Sequence, residues 1–245
     1  MKHIRLLIIF LGLIILWQCM VWITGVPRYI LPGPASVAKA MVSHWPLLLK
    51  HTGVTLLEIV SGLVLGTLFG VVCALGMILS RTLKLWMLPV LVISQAIPVF
   101  ALAPILVLWL GYGLSSKILM TVLVIFFPVT AALYDGLRRT NPDQLELARV
   151  MGGSKIARLR MIRIPAAMPA FASGLRVAAA IAPIGAVIGE WVGSSEGLGF
   201  YMLHANARMQ VDVMFAALAV LAASALGIYF LVDKLMNQVV FWKRD

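Results

Sequence analysis

Residues 59–80 read IVSGLVLGTLFGVVCALGMILS, a stretch with no charged side chain, closed by Arg81. At about 1.5 Å per residue, a helix of this length reaches ~33 Å, enough to cross a bilayer core of about 30 Å. In water such a helix would have to be covered on every side. In lipid it needs no cover. Working outward, further charge-free runs occupy 6–27, 85–116, 118–134 and 213–232, and 164–189 is interrupted only by Arg176. The composition agrees. The 245 residues are 62% hydrophobic and 12% charged, against roughly 45–50% and about 25% for a soluble domain. So few charges cannot clothe a solvated globule, and so apolar a chain does not stay disordered.

The runs predict an all-α integral membrane protein, one transmembrane domain over 1–245, with about six spans. These are near 5–25, 56–79, 86–109, 116–134, 170–191 and 212–232. The third run is too long for one helix, and Pro89, Pro98 and Pro104 predict a bent or loop-like passage within it. The first run could be a secretory signal, since Lys2 and Arg5 precede it. It is longer than the usual 7–15-residue apolar core and has no clear cleavage site, which favours a retained span.

Six spans put both termini on one side. That side then carries Lys2, Arg5, Arg81, Lys84, Lys243, Arg244 and the seven cations between Arg138 and Arg163. The other carries only Arg28, Lys39, Lys50, Lys117 and Arg208. The positive-inside rule makes the richer side cytoplasmic. The net charge of +11 is then a topology signal, and no nucleic-acid partner is expected. Cys19 and Cys73 lie inside apolar runs and read as packing. His3, His44, His51 and His204 share no ligand spacing, so no metal site is expected.

The longest polar stretch, 135–169, is organised. Asn141-Pro142 suits a helix start, with Asn at the cap and Pro at the first helical position. Asp143 and Glu146 follow in the first turns, where the helix dipole favours acids. Gly152-Gly153 stops that helix. Ser154 can cap a second one carrying Lys155, Arg158 and Arg160, and Ile164-Pro165 is expected to end or kink it. Two short helices about a glycine joint make a protruding knob.

Within this knob stand Glu146-Leu147-Ala148, Gly152 three residues later, Ile162 nine residues after that, then Ile164-Pro165. This spacing resembles the EAA motif of permease subunits of ATP-binding-cassette (ABC) importers, with Leu147 in place of the first Ala and Ile164 in place of Leu. The resemblance continues through Pro98, Pro104, 109–113, Phe127-Pro128, Gly136, Gly174-Leu175-Arg176 and 190–199. It points to the sulfonate, taurine, nitrate and pyrimidine branch. The strings 182–191 (APIGAVIGEW) and 204–210 (HANARMQ) look nearest to permeases for thiamine-precursor pyrimidines such as hydroxymethylpyrimidine.

The resemblance implies a type I importer permease fold with a cytoplasmic coupling helix in segment 141–165. It implies an ATPase-coupling role for Glu146, Leu147, Ala148, Gly152, Gly153, Ser154, Ile162 and Pro165. It further implies ABC ATPase subunits, an extracytoplasmic solute-binding protein, a second copy of the chain and membrane lipid as partners. The place is the bacterial inner membrane, crossed several times, and the mechanism is alternating access. The chain has no Gly-x-x-x-x-Gly-Lys-Ser/Thr loop to cradle phosphates. It is therefore expected to hold no cofactor and to be no enzyme, with ATP and Mg bound by the partner.

Three ionisable groups fall inside spans, where they mark function by default: Glu58, Arg176 and Glu190. Glu58 could simply reach the external interface. Arg176 could snorkel or pair with a carboxylate in another span. Glu190 could line the pathway or brace the loop after it. Arg176, Pro183 and Glu190 are the expected pathway residues on the Ala- and Gly-rich fifth span. Gly62, Gly66 and Gly70 repeat every four residues, which lets helices approach closely, either within the chain or against a second copy. Gly193-Ser194-Ser195-Glu196-Gly197 has the form of a nucleophile elbow, but it follows a helical span rather than a strand. No catalytic residue is expected there.

Overall fold

The structure, a computed structural model, describes residues 2–242; Lys243 and Arg244 of the expected cytoplasmic side lie outside them. Every regular element among the described residues is helical: α1 (Lys2–Thr24), α2 (Pro34–Ser43), α3 (Trp45–Leu79), α4 (Arg81–Ala96), α5 (Val99–Leu110), α6 (Leu114–Arg138), α7 (Pro142–Val150), α8 (Lys155–Arg158), a π turn (Leu159–Arg163), α9 (Ile164–Gly193), α10 (Leu198–Ala207) and α11 (Val211–Val239).

Helix α6 is the axis of the bundle, flanked by α3 and α9. Small residues bring the three backbones together. A Cβ built on Gly62 would lie 2.4 Å from Thr121 Cγ2, and one on Gly66 2.6 Å from Ile125 Cγ1. Gly70 faces the Phe126 carbonyl oxygen and Val129. The four-residue glycine repeat therefore runs parallel to 121, 125 and 129 of α6, within this chain. On the other flank Gly136 faces Ala167, Gly174 faces Pro128, Gly185 faces Thr121 and Gly189 faces Lys117, an antiparallel register. Between the contacts sits a core of Ile59, Leu63, Ile125, Val129, Leu175, Ala178, Ala182 and Ile228.

Helices α3, α6, the continuous Lys155–Gly193 segment and α11 are long and apolar enough to cross a membrane. Where one span over 86–109 is expected, α4 and α5 meet at 103°. The bend falls at Ile97-Pro98, while Pro89 and Pro104 stay inside helices. α1, over the expected span 5–25, is peripheral. Trp17 stacks on Phe215 of α11 at 5.8 Å.

Of the two outcomes expected at Ile164-Pro165, an end or a kink of the second cytoplasmic helix, the structure excludes the end. From Lys155 the chain runs helically to Gly193, and the π turn Leu159–Arg163 immediately precedes Pro165 in the first turn of α9. Proline lacks an N–H and crowds the carbonyl four residues back. A turn bonded i to i+5 has no need of that contact.

Candidate functional site

The two ends of the bundle carry its polar chemistry. At the end expected to be cytoplasmic, α7 has no buried residue. Its start is capped by Asn141, whose Oδ1 accepts from the Asp143 N–H at 2.9 Å. Its end is a Schellman motif: the Gly153 N–H donates to the Ala148 carbonyl at 2.8 Å, and the Gly152 N–H to Arg149 at 3.0 Å. That closure needs a left-handed residue, and Gly152 has φ +81°. Ser154 Oγ then accepts from the Ala157 N–H at 3.1 Å and opens the next helix. Both ends of the short helix and the start of the next are thus closed by hydrogen bonds local to the knob.

What it presents is unusual for a solvated loop. Leu147, Val150, Met151 and Ile156 are all exposed, Val150 to 79% and Met151 to 78%. Glu146 stands beside them, also exposed, on the same short helix. Ala148 and Ile162 are half-buried and Pro165 is exposed. Glu146, Leu147, Ala148, Gly152, Gly153 and Ser154 thus share one capped unit, while Ile162 and Pro165 belong to the π turn and the base of α9.

The opposite end holds a buried polar cluster. Glu58 on α3 is fully buried, and its Oε1 lies 3.1 Å from Lys117 Nζ at the head of α6, without hydrogen-bond geometry. The same Nζ donates to Ser194 Oγ at 2.6 Å. Thr55, one turn before Glu58, donates to Glu190 Oε1 at 2.6 Å and accepts from the Leu198 N–H at 2.8 Å. Glu190 Oε2 accepts from the Gly199 N–H, and His51 Nδ1 from the Gly197 N–H at 3.0 Å. Three free N–H groups at the start of α10 are thus all satisfied by side chains from α3 and α9. The carboxylate of Glu190 also sits at the positive end of that helix. Outside the membrane segments, Lys50 contacts Glu196 at 2.7 Å. Its hydrogen bond and charge hold the Glu196 carboxyl below the usual range.

Arg176, Pro183 and Glu190 are not gathered at one level. Arg176 pairs with Asp233 of α11 at 2.6 Å and donates to Asn237 at 2.7 Å. Pro183 is buried in the middle of α9. Glu190 lies about 20 Å from Arg176 along the axis, at ~1.5 Å per residue. Ser195, which would be the nucleophile of an elbow, is exposed between two helices. The neighbouring Ser194 Oγ donates to the Glu196 carbonyl and accepts from the Glu196 N–H at 3.0 Å. Among the described residues no group of three His, Cys, Asp or Glu could hold a metal.

Sequence reasoning missed Thr55, His51 and Lys117 as partners in the outer cluster. A charge-only clue exists, since Lys117 heads a span as Glu58 does, but nothing local pairs residues so far apart in the chain.

The family model described as the binding-protein-dependent transport system inner membrane component matches residues 66–244. A probable ABC transporter permease protein of Haemophilus influenzae is 56% identical, over 94% of this chain and 94% of that one. The formylaminopyrimidine transport permease protein of Halalkalibacterium halodurans is 36% identical, over 96% and 94%. The riboflavin transport system permease protein of Chloroflexus aurantiacus is 35% identical, over 94% and 87%. Among solved structures, an amino acid ABC transporter crystallised with histidines superimposes with a TM-score of 0.63 at 18% identity, over 83% of this chain and 97% of that one.

Proposed function

The chain belongs to the family of binding-protein-dependent transport inner membrane components, and from that premise we propose how it couples and what it carries. It is the permease subunit of an ABC importer, with a type I importer fold, and the ATP is hydrolysed on a separate subunit. Our reading is that α7 and its glycine joint seat in a cleft of that ATPase. The observation that carries it is the cap at each end of an exposed helix that, among its charged residues, presents Leu147, Val150 and the following Met151 to the outside. A solvated loop gains nothing from presenting Val150 and Met151, whereas a docking surface buries them for about 25 cal/mol per Å².

Two copies of the chain, paired about a two-fold axis, would enclose the pathway that one bundle only half surrounds. ATP-driven approach of the ATPases would tilt the knobs together and open the cavity outward, and hydrolysis would reset it. A solute-binding protein would deliver the substrate on the outer side. The termini would lie in the cytoplasm.

Gly152→Val tests the coupling. A Cβ there meets nothing within 4 Å, so the harm is confined to backbone strain at φ +81°, about 1–2 kcal/mol. The variant should reach near-normal membrane abundance, retain less ATPase in pull-downs at matched permease levels, and lose uptake. Full ATPase retention with full uptake would remove the knob from coupling.

For the solute we favour a small, polar, nitrogen heteroaromatic compound, with a thiamine-precursor pyrimidine leading. Two relatives near 35% identity are named for substrates of that chemistry, formylaminopyrimidine and riboflavin. Deleting the gene in a pyrimidine-precursor auxotroph should abolish growth on the supplied pyrimidine. Unchanged growth there, with loss of sulfonate or taurine use, would replace this assignment.

A further inference from the structure

The cytoplasmic base of the bundle holds a pocket used by neither the docking surface nor the outer cluster. It encloses about 240 Å³ between the end of α3, α7 and the first turns after Ser154. Its apolar wall is Ile78 and Leu79 of α3, Leu145 of α7 and Leu159. Its remaining lining is cationic: Lys155, Arg158 and Arg163.

The three cations converge for a local reason. Lys155 and Arg158 are three apart on a helix and share a face. Arg158 and Arg163 are five apart across the π turn, where residues at that spacing are hydrogen-bonded neighbours. No carboxylate lines the pocket, and none of the ion pairs among the described residues involves these three cations. Arg158 Nε is buried without an acceptor. A buried guanidinium N–H left unpaired is costly, so the site calls for an anion.

Its level fixes which anion. Leu79 ends the 35-residue helix α3 and is 58% exposed. The chain turns at Ser80, and Leu85 and Trp86 of α4 again present apolar surface outward. The mouth therefore lies at the boundary between hydrocarbon and water, with apolar residues on one side and three cations on the other.

The geometry points to a binding site for the headgroup phosphate of an anionic phospholipid from the cytoplasmic leaflet, bridging the coupling helix to the end of α3. Arginine suits phosphate because its planar donors can pair two oxygens at once. Basic pockets on the cytoplasmic side of membrane helices are where such headgroups are held. Inorganic phosphate shares the headgroup's charge but leaves the wall of Ile78, Leu79, Leu145 and Leu159 bare. The inference does not depend on the solute carried, and it requires that the docked ATPase leave the mouth of this pocket open.

The test uses the assembled permease–ATPase complex, exchanged into nanodiscs of phosphatidylglycerol and phosphatidylcholine and examined by native mass spectrometry. One phosphatidylglycerol should be retained per permease copy, undisturbed by excess inorganic phosphate. Lys155→Gln with Arg158→Gln should lose it at least tenfold, Lys155→Gln alone should weaken it several-fold, and Arg160→Gln, outside the pocket, should not change it. The single Lys155 variant alters only an exposed side chain and decides the matter if the double variant does not assemble. Equal retention in Lys155→Gln, displacement by inorganic phosphate, or retention by isolated permease but not by the assembled complex (an ATPase carboxylate then filling the pocket) would each overturn the assignment.

Discussion

Two acid–base pairs at the outer end of the bundle show how burial decides what a charge is worth. Glu58 and Lys117 are both buried, and Lys117 Nζ is the cation within 3.1 Å of Glu58. If Glu58 is ionised beside it, removing the lysine breaks a buried pair, which typically costs about 3–5 kcal/mol. Lys117→Met should therefore lower the thermal unfolding midpoint of the detergent-solubilised protein sharply. A loss under about 1 kcal/mol would mean that Glu58 is not charged in the folded state. Lys50 and Glu196 are closer together but lie in water, with side chains 61% and 44% exposed. The Glu196 carboxyl is lowered, so any stability it adds is present above the ordinary carboxylate range and fades as pH falls through the lowered value. Solvent screens that term, and Lys50→Gln should leave the midpoint at neutral pH unchanged. Glu58, Arg176 and Glu190 were all legible in the sequence as charges inside apolar runs. Their partners were not. Asp233 lies 57 residues from Arg176 and Thr55 lies 135 from Glu190, and no local pattern encodes such distances.

At the scale of elements, the sequence spoke clearly where one residue decides a conformation. Asn141, Gly152 and Ser154 each cap the turn their chemistry suits. It was ambiguous where the partner decides. The glycine repeat at 62, 66 and 70 was compatible with a neighbour in this chain or in another, and only the register with α6 resolves it. At Pro165 the sequence left an end or a kink open, and the widened turn before it decides against the end. The close register gives a paired test. A Cβ on Gly185 would stand 2.7 Å from Thr121 Cα, backbone that cannot move aside without separating α6 from α9. Gly185→Ala should cost about 1–3 kcal/mol or more and reduce the yield of monodisperse protein. Gly227 of α11 has nothing within 4 Å, so Gly227→Ala should hold or raise stability by up to about 1 kcal/mol through its better helix propensity. A similar response to both substitutions would mean that α6 and α9 do not approach as described.

For the whole molecule, the charge asymmetry makes a topological statement that labelling can check. Ser195 is exposed in the loop between α9 and α10, and Arg160 is exposed beside the knob. In a background without the native cysteines, Ser195→Cys should react with an impermeant maleimide added to intact cells, and Arg160→Cys only after permeabilisation. The reverse pattern would invert the orientation. Gly197, in the same outer loop, is a poor site for this, since a Cβ there would lie 2.2 Å from the Glu190 carboxyl carbon.

The uninterrupted course from Lys155 to Gly193 spans 39 residues, a rod of about 58 Å at 1.5 Å per residue. One end leaves the Ser154 cap, and the other delivers Glu190 to the start of α10. Over that length a tilt of about 5° sweeps the far end through ~5 Å, wider than a hydrogen bond is long. On the proposed coupling, the Thr55, Glu190 and His51 contacts to α10 would act as a catch at the tip of a lever. The π turn and the prolines at 169 and 183 are the places where its hydrogen-bond ladder departs from the regular pattern, so on the proposed coupling a substitution that straightens or loosens them would change how much of the stroke reaches the outer face.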